Sequence, residues 1–377
     1  MLDFFPLRII TGPYFCNRIA ERKALRKNIE KKRHTILASP RRYGKTSLSN
    51  QVFEELGKEW VTGDVDFLIA TDASDIEKLI LTIVGRVLPK IIPLHKNIFE
   101  KIRAFFSFAQ ARITISESGP TVEFIQTEKV QQTIQDALMG LDRLAEKEGK
   151  QVALLFDEFQ QVGQLKNSET LEAAIRHAAE RSKNVCYIFS GSNRHLLNQM
   201  FDDSSRPLYH VCEKISLERI EPEEYRAHLL KFSEARWKKS LHSCVIDEIL
   251  SCTKCHPYYV NVLCSRIWDL DDPIETSEAA NMIWKKYVEE EKGRIGDEIT
   301  QLTLNQRKLL FGIALGTISQ PTNKEFLTKI NLSLASASQT LKILLEKDLV
   351  YRDLSAVLRV VDPSLAYFLQ HFQQTRH

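Results

Sequence analysis

Two short stretches, far apart in the chain, hold residue types suited to phosphate chemistry. The first is Ser39-Pro-Arg-Arg-Tyr-Gly-Lys-Thr46, a near match to G-x-x-x-x-G-K-[ST]. In such a loop the backbone N–H groups and the first turn of the following helix form a nest for anions. Gly44 lets the backbone approach phosphates closely, Lys45 brings a mobile cation to the β and γ oxygens, and Thr46 offers a hydroxyl to Mg²⁺. Pro40, Arg41, Arg42, Tyr43 and Ser47 are expected to line the same nucleotide. Ser39 stands where the pattern has its first glycine, a small and sterically mild change. The second stretch, Val152-Ala-Leu-Leu-Phe-Asp157-Glu158, is an apolar run ending in two carboxylates. In a parallel strand next to the strand before the loop, Asp157 would hold Mg²⁺ through water and Glu158 would polarise the attacking water. A basic loop or an acidic turn is common alone; the two together, each on the element it needs, point to ATP and Mg²⁺. A third stretch, Phe189-Ser-Gly-Ser-Asn-Arg194, offers Ser192, Asn193 and Arg194 as sensors of the γ-phosphate, with an ordinary Ser-Gly turn as the bland alternative.

The elements that must carry these residues are legible from periodicity. Thr35 to Ser39 reads as a buried strand, and Leu48, Val52, Phe53 and Leu56 fall on one face of the helix after the loop. Further strands are expected at Asp66–Thr71, Val152–Phe156, Val185–Phe189 and Glu213–Leu217. Helices fit about Asp75–Val87, Lys129–Glu148 and Thr170–Ser182. Alternating strands and helices indicate an α/β fold with a mainly parallel sheet covered on both faces. Arg112–Ile125 alternates apolar and polar about Gly119-Pro120 and reads as an inserted hairpin. The stretch Glu221–Glu298 is all helical. Helices at about Leu304–Leu315, Asn323–Ile330 and Leu334–Lys347, then β-like runs at Leu349–Arg352 and Val357–Val361, describe a winged helix. The expected division is a P-loop core over 1–218 with its hairpin near 112–125, a helical lid over 219–300 and a winged helix over 301–377.

Together these residues resemble the archaeal-type ATPases, a group in the signal-transduction (STAND) branch of the AAA+-related P-loop proteins. The likeness rests on Pro40–Leu48, Asp157-Glu158 and Phe189–Ser192, and it extends to Phe15-Cys-Asn-Arg18-Ile-Ala-Glu21 and Cys255-His256-Pro257-Tyr-Tyr-Val260. It implies a sheet of order 5-1-4-3-2, a helical lid, a C-terminal winged helix and ATP-dependent switching. It also implies contacts to the adenine side of the nucleotide from Phe15, Arg18, His256 and Pro257. Two departures stand out. Pro207-Leu-Tyr-His210-Val211 replaces the family's Pro-Leu-Tyr-Gly-Arg, so a charge on the γ-phosphate is missing or comes from Arg194 or Arg206. Cys255 replaces the lid glycine.

The whole-chain numbers allow this reading. At 377 residues the chain is long enough for two or three domains, and its net charge of +3 demands no polyanionic partner. Met1–Ile10 lacks the basic start and apolar core of a secretory signal, the apolar stretch Leu79–Leu94 is broken by Arg86 and Lys90, and the seven cysteines suit reduced thiols. A cytoplasmic protein with no membrane span is expected. Cys252-Thr-Lys-Cys255-His256 matches a haem-attachment spacing, but that chemistry belongs to exported proteins, and no second ligand pair for zinc is visible. From Gln301 to His377 nine Lys/Arg stand against five Asp/Glu, yet the expected recognition helix has only Lys342 and Lys347 as cations. Arg352 and Arg359 would add to it from the wing. Double-stranded DNA, a protein partner and a second copy of the chain therefore all stay open. The competing functions are an ATP-hydrolysing switch, a DNA-binding regulator that keeps ATP as a structural ligand, and a small-molecule kinase, which the paired acids fit least well.

Overall fold

The computed structural model describes residues 3–92, 105, 111–116, 119–124, 129–316, 320–353 and 355–371. It divides into two units. The first holds 1–18, 40–44 and 218–377, and the second holds 19–39 and 45–217.

The second unit is built on five parallel strands: β1 (Thr35–Ala38), β2 (Trp60–Asp66), β5 (Gln151–Asp157), β6 (Val185–Gly191) and β7 (Glu213–Ser216). Their order is β2-β5-β6-β1-β7, the 5-1-4-3-2 arrangement in chain-order numbering. β1, β5 and β6 read as near-continuous apolar runs because helices cover both faces. Ile36, Leu154, Phe156, Tyr187 and Phe189 join the main core with Ile80, Val84, Ile134 and Leu138 from the covering helices. Helix α1 spans Ile19–Glu30, α2 Lys45–Glu55 and α3 Ala73–Ile91.

Two expectations about the sheet need correction. β5 does not neighbour β1: β6 lies between them, pairing Phe156 with Phe189 on one side and Ile36 with Phe189 on the other. The second strand also begins earlier, ending at Asp66 where the apolar run Asp66–Thr71 was expected to start it. As an edge strand β2 buries Val61 and Val65, whereas Leu68 and Ile69 of that run are 50% and 78% exposed in the turn that follows.

The inserted hairpin pairs β3 (Ala111–Ser116) with β4 (Gly119–Phe124) in antiparallel register, Ser116 opposite Gly119. Gly119 and Pro120 thus open β4 instead of forming the turn. Residues 117–118, and Ile125 at the end of the expected segment, lie outside the described residues.

The first unit is helical. Pro222–Trp237, Ser243–Thr253, Pro257–Trp268, Ser277–Glu290 and Lys292–Thr300 precede the winged-helix elements Leu304–Leu315, Lys324–Ile330 and Leu334–Glu346. Each of these last three starts on a side-chain cap, Thr303 with Gln306 in a capping box, then Asn323 and Ser333. The wing is β8 (Val350–Arg352) paired with β9 (Leu358–Val360), and a final helix, Pro363–His371, had no sequence expectation. The main apolar core of this unit includes Trp284, Leu263, Leu310 and Leu365.

Candidate active site

Parallel strands bring their carboxyl ends to one edge of the sheet, where ligands of open α/β folds bind. In the second unit that edge gathers the acids. Thr46, in the first turn of α2, donates its hydroxyl to Asp157 Oδ2 at 2.5 Å. Ser190, on the intervening strand β6, donates to Asp157 Oδ1, which also accepts from the N–H of Glu158 at 3.0 Å. Ser190 thus spans the gap that the extra strand opens. Lys45 is buried, and its ammonium donates to the carbonyl of Ser39 at 3.1 Å. Ser39 is not among the loop's left-handed positions, which are Arg42, at φ 64°, and Gly44, at φ 86°.

Glu158 sits at φ 49°, a left-handed conformation that costs a non-glycine residue roughly 1–2 kcal/mol. Its Oε2 accepts from Ser192 Oγ at 2.7 Å and from Gln160 Nε2 at 2.5 Å. Asp66, opposite Asp157 in the β2–β5 register, adds a third carboxylate to this edge. Burial raises its pKa, the Asp157 and Glu158 charges raise it further, and the N–H of Leu68 pulls the other way. The sequence motifs give Asp66 and Gln160 no role, and contain Ser190 only inside Phe189–Ser192. An Asp ending an edge strand was the available signal for the first; the other two became visible only through pairing.

The remaining sensor candidates have other contacts. Asn193 caps the helix Arg194–Asp202, its Oδ1 accepting from Leu196 N at 3.0 Å, and Arg194 is that helix's first residue. Arg206 is committed to the fully buried Glu172, with Nε to Oε2 at 3.1 Å and a second bond from Nη2 to Oε1. Burial pushes Glu172 up to about 7 against the lowering pull of Arg206.

In the first unit, Pro40–Gly44 is held by residues far away in sequence. Arg18 is buried, and its Nη2 donates to the carbonyls of Tyr43 at 2.9 Å and Glu218 at 2.8 Å. Arg42 lies 4.2 Å from the ring centre of Tyr258, a cation–π contact. Tyr43 is fully buried, edge-on to His256 at 4.7 Å and to Tyr351 of the wing at 6.3 Å. It forms a small apolar cluster with Tyr351 and Val361. Arg219 joins these pieces: it donates to Tyr43 Oη at 3.5 Å, to Lys254 O at 3.1 Å and to Val360 O at 3.1 Å, and lies 5.5 Å from the Tyr351 ring centre. His256 is buried, which drives its pKa well below the usual value, aided by Arg219 and then Arg42 and Arg18. Its Nδ1 has no hydrogen-bond partner among the described residues. Pro257 opens the next helix, and Phe15 is half-buried just before Arg18. Cys252 donates its thiol to Glu248 at 3.2 Å, and no cluster of three metal-ligating His, Cys, Asp or Glu occurs among the described residues.

A parallel sheet of this order, a Gly-Lys-Thr loop after its first strand, paired acids at the end of β5 and a C-terminal winged helix define a Walker-type P-loop ATPase. Residues 15–263 match an ATPase domain predominantly from Archaea, and residues 297–371 match a probable winged helix domain. The chain belongs to this archaeal-type ATPase family. Its fold is similar to that of the Walker-type ATPase paby2304 of Pyrococcus abyssi, with a TM-score of 0.69 at 18% identity, over 97% of this chain and 99% of that one. The ORC2 protein of Aeropyrum pernix, solved with ADPNP and ADP, gives 0.58 at 16%, over 97% and 95%. The ORC1 protein of the same organism, solved in complex with DNA, gives 0.50 at 11%, over 97% and 94%. At these identities the likeness bears on the fold alone. No curated protein is significantly similar in sequence. Among the described residues no helix is long and apolar enough to cross a membrane.

Proposed function

We propose that the chain is an ATP-binding and ATP-hydrolysing switch of the AAA+/STAND type whose winged helix reads the state of the phosphate loop. The observation that carries this is Tyr43: a residue of the loop itself is buried against Tyr351 and Val361 of the winged-helix region, with Arg219 bonded to both sides. A phosphate group that reshapes Pro40–Gly44 must therefore repack the wing's anchor.

The site residues fit the ligands. Lys45 and the N-terminus of α2 suit the anionic phosphates. Thr46 and Asp157 offer the hard oxygen donors that Mg²⁺ takes, and would hold it. When bound, the ion neutralises charge developing on the phosphate oxygens. Glu158 accepts the proton of the attacking water as its oxygen bonds to the γ-phosphorus and the β–γ bridging bond breaks, releasing ADP and phosphate. Turnover is expected to be slow without a partner. All seven cysteines are free thiols, which suits a cytoplasmic location.

Lys342 pairs with Glu346 at 3.9 Å, Arg352 donates to Ala356 O at 3.0 Å, and Arg359 to Asp353 at 2.7 Å. With the two wing arginines engaged inside their own domain, the winged helix is read as facing a protein. Tight, salt-sensitive binding to double-stranded DNA would reverse that reading. For hydrolysis, Glu158→Gln should lower kcat on the order of 100-fold or more while ATP still binds. Equal rates in the two proteins would leave ATP as a structural ligand only.

A further inference from the structure

The acid assigned as general base is itself held by two side chains. Glu158 Oε2 takes both Ser192 Oγ and Gln160 Nε2, at 2.7 and 2.5 Å, while Oε1 accepts nothing among the described residues. Both donors are buried, Gln160 at 2% exposure and Ser192 at 3%. The other end of the Gln160 amide has no hydrogen-bond partner among the described residues and lies over Gly191, where an added Cβ would come within 2.1 Å of Oε1. Only a residue without a side chain at the end of β6 leaves room for that amide. The backbone adds to the restraint, because the left-handed φ of Glu158 fixes the direction in which its side chain leaves the strand.

We propose that Gln160 and Ser192 are positioning residues for Glu158. By loading one carboxylate oxygen they stop the side chain from rotating and leave the other oxygen to take a proton. Ser192 then acts through Glu158 instead of reading the γ-phosphate directly. This rests on the reading of Glu158 as the base. Preorganisation of this kind raises kcat without adding affinity for substrate.

The test is steady-state hydrolysis on the full chain, with binding of a fluorescent ATP analogue measured in parallel. Ser192→Ala and Gln160→Ala should each lower kcat about tenfold, with KM and analogue affinity within about twofold of wild type. Gly191→Ala should mimic Gln160→Ala by pushing the amide off Glu158. Ser192→Thr, which keeps a hydroxyl, should return kcat toward wild type. Placed on Glu158→Gln, neither alanine should cost more, since the group they position has gone. A normal rate in Glu158→Gln alone would remove the base. A slow Glu158→Gln beside normal Ser192→Ala and Gln160→Ala would remove the clamp and keep the base. The clamp would also fall if loss of kcat came with equal loss of analogue binding, or if Ser192→Ala slowed the Glu158→Gln protein further.

Discussion

Backbone conformation explains two residues that depart from the family pattern. Cys255 and His210 stand where the resemblance leads one to expect glycine, and their φ angles are 56° and 55°, in the left-handed region that favours it. The chain keeps the turn and bears the strain of a side chain. His210 is exposed, with its ring edge-on to Tyr209, so little packing is lost with it. His210→Gly should therefore stabilise the fold, by about 0.5–1 kcal/mol after the added flexibility of the unfolded chain is counted. An upward shift of the urea midpoint at constant m-value would show it. The candidate residues Lys45, Thr46, Asp157 and Glu158 could be proposed from the sequence because a phosphate-binding motif has a fixed pattern of residue types. Gln160 and Arg219 could not, because a glutamine after a strand and an arginine before a helix carry no signal until the fold supplies their partners.

Elements built on strong apolar periodicity were read closely; those set by pairing were not. Leu304–Leu315 was recovered with its ends because its cap and its last apolar residue are both local features. β2 was misplaced because an edge strand buries only one face, and a run of apolar residues in the next turn looked more strand-like. The place of β6 between β5 and β1 has no local signal and entered only through the family likeness. The helix Pro222–Trp237 shows how burial sets a pH response. His228 packs against Phe232 and Phe5, and burial lowers it to about 4, with Lys231 adding to the shift. Its folded pKa lies below its unfolded one, so its contribution is complete above about 6.5 and is lost as pH falls toward 4. The shift corresponds to on the order of 3 kcal/mol. His34 adds to the same trend: it is lowered by burial, and its Nδ1 accepts from Tyr187 N at 3.1 Å, which needs a neutral ring. Stability should drop between pH 7 and pH 5, and His228→Phe should flatten part of that slope in urea titrations at the two pH values.

For the molecule as a whole, the phosphate loop is split in its packing: Pro40–Gly44 belongs with the helical unit and Lys45 onward with the sheet. Removing the wing's hold on the loop should therefore break communication without touching the acids. In wild type, hydrogen exchange over Val350–Val361 should respond to ATP; in Tyr351→Ala and Arg219→Ala that response should vanish while ATP hydrolysis persists. Sizing the protein with and without ATP, then with DNA or a candidate protein partner, would show whether the switch acts as a monomer or assembles.

The burial of Tyr43 carries an obligation that runs in both directions. If ATP alters how tightly the winged helix grips its target by some factor, that target must alter the affinity for ATP by the same factor. A substitution at Tyr351, three hundred positions from the lysine in sequence, should then register as a changed dissociation constant for nucleotide once the target is present, and a titration of ATP alone would report on what the far end of the chain is holding.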